Sequence, residues 1–227
     1  MAELVRVSAS GSEVVGLARR ASGPLDEGPR PAARRLIGIA GEPGAGKSLL
    51  AAALVELIGD RAAGVPLDGF HLADSELVRQ GLLERKGAPE TFDAWGYAAL
   101  LARLRERPRH PVYAPGFERV LEQPLAAAVA VAPEVEVVVT EGNYLLLDRP
   151  EWRAARPQLD EVWFVQVDRR LRLERLVVRH ETFGKGPDEA RQWAERVDEP
   201  NARLVASTRD AADLVVDVTD WAGVVPR

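Results

Sequence analysis

Cysteine is absent from the 227-residue sequence. That excludes disulfides, thiolate zinc sites, iron–sulfur clusters and a cysteine nucleophile, and it fits a reducing, cytoplasmic setting. An apolar run of about 18 residues or more is also missing, so no transmembrane helix and no membrane partner are expected. The first residues lack the basic segment, apolar stretch and cleavage site of a signal peptide. A basic excess is missing too. The formal net charge is −5 and the pI about 5.4, which argues against a nucleic-acid partner, since that calls for a basic face. Lysine is scarce: of 30 basic residues only Lys47, Lys86 and Lys185 are lysines. A GC-rich coding bias explains the arginine excess. Lysine is a compact point charge where arginine is a planar fork, so a retained lysine marks a position to inspect.

What is present is ordinary for a folded chain: 46% hydrophobic and 29% charged residues, with no internal repeat. A chain of this length forms one domain and buries roughly 70% of its unfolded surface. Ser12 to Arg20 is predicted as a short helix, and Ser22 to Pro31 is a Pro/Gly-rich linker. Residues 1–31 are therefore expected as an N-terminal helical appendage with a linker, and residues 32–227 as the main domain.

Inside that domain, short apolar runs alternate with helical patterns. Strands are predicted at Leu36–Ala40, Val65–Leu67, Val135–Thr140, Glu161–Val167 and Leu214–Val218, with a brief extended piece at Pro111–Ala114. Helices are predicted at Leu49–Ile58, Asp93–Arg107, Arg169–His180 and Asp188–Val197, the last interrupted near Pro200 and resumed to Ala206. This alternation predicts an α/β fold of three layers around a mostly parallel central sheet.

The first strand of the domain runs into Gly41-Glu42-Pro43-Gly44-Ala45-Gly46-Lys47-Ser48, with Leu49 opening the next helix. This is G-x-x-x-x-G-K-[ST] between a strand and a helix, the P-loop or Walker A pattern. Composition alone would produce it about 0.001 times in a chain of this length. Its glycines can turn successive N–H groups inward, and the helix adds the positive end of its dipole. Lys47 can reach the outer phosphates of a nucleotide, and the Ser48 hydroxyl can bind Mg²⁺.

Two carboxylates follow buried strands. Asp68, in Val65-Pro-Leu-Asp-Gly-Phe-His71, is placed to take or orient the proton of an attacking hydroxyl. Glu141 ends the β-branched run before Gly142, where P-loop proteins hold Mg²⁺ through a carboxylate. Along Arg169–His180, Arg172, Arg175 and Arg179 fall on one helix face, with Leu173, Leu176 and Val177 as the apolar stripe. Lys185 lies beyond, between Gly184 and Gly186. The segment of about 180–190 is read as a helical lid that closes on phosphates. The loops around Lys86 and from Tyr113 to Arg119 mix charge, turn residues and aromatics, as walls of an acceptor pocket do.

Taken together these residues resemble the phosphoribulokinase, uridine kinase and pantothenate kinase group of P-loop kinases, from about Leu36 to Val218. Lys86-Gly-Ala-Pro-Glu-Thr-Phe-Asp93 is similar to a pantothenate kinase segment, and Leu67-Asp-Gly-Phe-His71 and Thr140-Glu-Gly142 match the aspartate and Walker-B endings of the family. Asn201, in Asp198-Glu-Pro-Asn-Ala-Arg203, lies in a segment similar to one near the acceptor in some members. The match is nearest to small bacterial members of the nucleoside and sugar kinase type, some tied to fructose uptake.

The resemblance implies an ATP- and Mg²⁺-dependent kinase acting on a hydroxyl of a small metabolite, of nucleoside, sugar or pantothenate type. It implies Lys47, Asp68, Arg175 and Arg179 as the catalytic set. Ser48 and Glu141 are implied at the metal. Asp68, His71, Lys86, Tyr113, Arg119, Glu141 and Asn201 are implied on the acceptor side. A P-loop ATPase or nucleotide switch without an acceptor is the alternative, and a homodimer is left open.

Overall fold

The computed structural model of the chain describes residues 2–23 and 33–224. In chain order its elements begin β1 (Glu3–Arg6), α1 (Ser12–Ser22), β2 (Arg35–Gly41), α2 (Lys47–Ile58), β3 (Ala62–Pro66), α3 (Asp74–Gln80) and α4 (Ala94–Arg105). They continue with β4 (Val112–Glu118), β5 (Gln123–Val131), β6 (Val137–Glu141), α5 (Pro150–Arg153), β7 (Glu161–Gln166), α6 (Arg169–Thr182), α7 (Pro187–Trp193), α8 (Glu199–Ala206) and β8 (Leu214–Asp217).

Six strands form one parallel sheet in the order β1-β8-β7-β2-β6-β3. The strands β2, β6, β7 and β8 are buried on both faces, as cover by helices on both sides requires, whereas β1 at the edge is mostly exposed. Residue alternation divides them. Leu36, Val138, Val162, Phe164 and Val215 point to one face and pack with α4 side chains Tyr97, Leu101 and Leu104. Ile37, Ile39, Val139, Trp163 and Val216 point to the other, against Val14 and Leu17 of α1, Leu50 and Leu54 of α2, and Trp221. Each buried aliphatic side chain of this kind contributes about 1.5–3 kcal/mol of transfer free energy.

The sheet order positions the site. Strands β2, β6 and β3 are consecutive neighbours, and their carboxyl ends are level: Glu141 pairs in register with Ile39 on one side and Pro66 on the other. The loops after β2, β6 and β3 therefore open side by side at one edge, where ligands of open α/β sheets sit.

Three features differ from the sequence reading. Residues 3–22 are not set apart from the main domain. β1 pairs with β8 at the sheet edge, and α1 buries Val14, Leu17, Ala18 and Ala21 in the second core. Most of the linker lies outside the described residues. Second, the piece at Pro111–Ala114 is one arm of a two-stranded antiparallel sheet, β4 with β5, whose register shifts between Ala114 and Gly116. Third, Pro200 does not interrupt a helix. A π-helical turn at Ala194–Asp198 runs without a break into α8, and Pro200 sits in the first turn of α8, directly after the wider π turn. Among the described residues no helix is long and apolar enough to cross a membrane.

Candidate active site

The phosphate loop joins β2 to α2. Gly44 and Gly46 take positive φ of 79° and 99°, which L side chains rarely adopt. Space forbids a side chain at Gly44 as well: a Cβ there would lie 2.8 Å from Leu176 Cγ and 3.0 Å from the Arg172 carbonyl oxygen. Helix α6 is thus packed directly onto the loop. Lys47 is 8% exposed, and its Nζ donates to the Glu42 carbonyl oxygen at 2.9 Å. Burial lowers the pKa of this ammonium to about 8, while Glu141 and Asp68 oppose the fall.

Glu141, at the end of β6, accepts a 2.8 Å hydrogen bond from Ser48 Oγ. Burial raises its pKa, the negative charge of Asp68 adds to the rise, and Lys47 counters it. The residue after it is glycine because the Leu67 side chain packs close: a Cβ there would meet Leu67 Cδ2 at 2.4 Å. Asp68 lies in the helical turn Leu67–Phe70 that follows β3. Its Oδ2 accepts from Arg119 Nη2 at 2.8 Å, which ties it to the end of the β4–β5 hairpin. The His71 ring packs on Phe92 at 4.0 Å and Phe117 at 4.9 Å between centroids. Burial lowers the pKa of this imidazole, so its neutral form donates Nδ1–H to the Asp68 carbonyl oxygen at 2.8 Å and keeps Nε2 as an acceptor.

A cavity of about 370 Å³ opens between these groups. Pro43, Lys47, Ser48, Asp68, His71, Lys86, Arg119, Glu141, Arg179 and Asn201 all line it. Lys86 donates to Asp74 Oδ1 at 2.6 Å and to the Glu122 carbonyl oxygen, and lies over the Phe117 ring. Sequence reasoning missed part of the far wall: Asn143, His180, Phe183, Trp193 and Asp198. His180 Nε2 and Asp198 Oδ2 are 2.7 Å apart, and Lys185 Nζ sits 4.6 Å from the Trp193 ring centroid. His180 lies in the last turn of the arginine helix, next to Arg179, and could have been found there. Trp193 carries no local signal, because only the fold turns α7 back toward the site.

Two expected positions fall elsewhere. Tyr113 is not among the cavity-lining residues. It is 55% exposed, because side chains alternate along β4 and its neighbours Val112 and Ala114 take the buried face. Tyr113→Ser is therefore expected to leave kcat/KM within about twofold of wild type, as for an exposed substitution, and steady-state assays check this. Arg175 also lies outside the cavity wall, against the loop; its Nη1 is 3.5 Å from where a Cβ on Gly46 would stand. Nor is the arginine face of α6 uniformly solvated: Arg172 is buried alongside Leu176.

This arrangement has relatives. No protein-family model matches the chain. The "ATP-dependent kinase-like protein notR'" of Aspergillus versicolor is 40% identical over 131 residues, 55% of this chain and 76% of that protein. A Schizosaccharomyces pombe protein provisionally named uridine kinase is 32% identical over 194 residues, 81% of this chain and 83% of its own length. Among solved structures, one from Silicibacter sp. TM1040, provisionally named fructose transport system kinase, has a TM-score of 0.80 at 38% identity. That match covers 89% of this chain and 98% of the other. With its phosphate loop, parallel sheet and relatives of this kind, the chain belongs to the phosphoribulokinase, uridine kinase and pantothenate kinase family of P-loop kinases, ATP-dependent phosphotransferases with a hydroxyl acceptor.

Proposed function

We propose that the cavity is where the hydroxyl of a small metabolite meets the terminal phosphate of ATP, the acceptor being of nucleoside, sugar or pantothenate type. One observation carries this reading: the Asp68 carboxylate, oriented by Arg119, shares a cavity with Lys47 and Ser48 of the phosphate loop. A nucleotide switch needs no such hollow beside the loop.

In this reading Lys47 and the loop amides hold the phosphates. Asp68 takes the acceptor's hydroxyl proton as its oxygen bonds to phosphorus and the bond to the ADP oxygen breaks. His71 Nε2 offers an acceptor to a second substrate hydroxyl. Arg175 beside the loop, and Arg179 and Lys185 in the cavity wall, supply positive charge for the transferring group. The segment of about 180–190 acts as the lid that excludes water.

Mg²⁺ fits the residues present. Burial raises the cost of ionising Glu141, the negative charge of Asp68 adds to it, and a divalent cation relieves that repulsion. Ser48 and Glu141 are the side chains that would hold it. Among the described residues no three acidic or histidine side chains form a metal cage, as suits an ion that keeps water and phosphate oxygens in its shell. When bound, Mg²⁺ supplies neutralisation of phosphate charge.

The test is a panel of pantothenate, nucleosides and simple sugars, scored by ADP formation. ADP release that rises with one class of acceptor is expected. Release that is the same with and without every acceptor would favour an ATPase instead.

A further inference from the structure

Along α6, Arg172 turns inward and is 2% exposed. Its guanidinium meets groups from two distant parts of the chain. Nη2 donates to Glu199 Oε1 at the start of α8. Nη1 donates to the Pro43 carbonyl oxygen in the phosphate loop at 3.3 Å. Nε faces Glu42 Oε1 at 3.6 Å and has no hydrogen-bond partner among the described residues. Glu199 is held in turn through its other oxygen, which accepts from Arg169 at 2.6 Å.

Burying a guanidinium is costly unless it is bonded on several sides, and its planar fork can serve several partners at once. Here those partners are the loop that grips phosphate and the helix that walls the acceptor side. Helix α8 carries Asn201 into the cavity wall, and Asp198 just before it pairs with His180. One side chain therefore spans the two halves of the site without lining the cavity itself.

We propose that Arg172 is a positioning residue that couples the phosphate loop to residues 194–206, with Glu199 as its anchor. It holds the Glu42–Gly44 stretch in its phosphate-binding shape, and a bound nucleotide in turn steadies the helix on the acceptor side. The proposal rests on the loop being the nucleotide site and is independent of which acceptor is used.

The test uses the full chain and the non-hydrolysable analogue AMP-PNP with Mg²⁺. Calorimetry on Arg172→Met, Arg172→Lys and Glu199→Gln is expected to give a Kd about tenfold weaker than wild type, the scale of one lost charged hydrogen bond. Arg172→Lys is expected not to rescue, because one ammonium cannot reach all three groups. Hydrogen exchange is expected to show analogue-dependent protection of residues 194–206 in wild type and its loss in the variants. Circular dichroism establishes that each variant is folded at the assay temperature. If Arg172→Met does not fold, Glu199→Gln reads the same coupling from the other side.

Folded variants that bind as wild type does would overturn the proposal. So would protection of 194–206 that persists in them, or is absent from wild type. A wild-type chain that binds no analogue at all would overturn the cradle reading beneath it.

Discussion

Asp68→Asn is expected to lower phosphoryl transfer by about 10²–10⁴-fold, the range spanned by a lost general base. Affinity for ATP, measured by calorimetry, should stay close to wild type. The reason lies in what the substitution keeps. Asn retains a carbonyl oxygen that can accept from Arg119 Nη2, the contact that Asp68 Oδ2 makes at 2.8 Å. Shape and hairpin contact survive while the proton acceptor is lost. The variant also removes one of the three carboxylates that bear on Lys47, beside Glu141 and Glu42, so the lysine gains no new attraction that could mimic tighter binding. Loss of ATP binding instead would assign Asp68 to the metal rather than to the acceptor.

Lys47→Ala is expected to lower kcat/KM by about 10²–10³-fold, as for removal of one preorganised charged donor at a transferring group. Near-normal turnover would contradict the cradle assignment. Folding should survive the change. Lys47 is buried at a cost that lowers its pKa to about 8, and its Nζ donates to the Glu42 carbonyl oxygen within the same loop. A group held against its solvation preference is retained for what it binds rather than for the stability it gives. Far-UV circular dichroism of the variant should overlay that of wild type.

Much of this was legible in the sequence, for a physical reason. The segment Leu36–Ser48 places strand, turn and helix signals and the chemistry of phosphate binding within one short stretch, so no distant information is needed. Asp68 and Glu141 were legible for the same reason: each follows an apolar run whose end, in a parallel sheet, faces the ligand edge. What escaped depends on partners far along the chain. β1 is short and mostly exposed, and only its pairing with β8, more than 200 residues later, makes it a strand. β5 is alanine-rich and exposed along its middle, so it has no apolar alternation to read. In sequence Arg172 reads with Arg175 and Arg179 as one face of the helix leading into the lid, because its partners, Pro43 and Glu199, are 129 and 27 residues away. Tyr113 looked like pocket wall because its loop is mixed in polarity, whereas the pleat of β4 turns it outward.

The central claim is transfer of phosphate to an alcohol beside Asp68. Phosphorus NMR of the products formed from ATP and a responsive acceptor tests it most directly. A phosphate ester that accumulates in step with ADP in wild type, and that is missing with Asp68→Asn, is the expected result. Inorganic phosphate as the sole product, formed equally by both proteins, would contradict it.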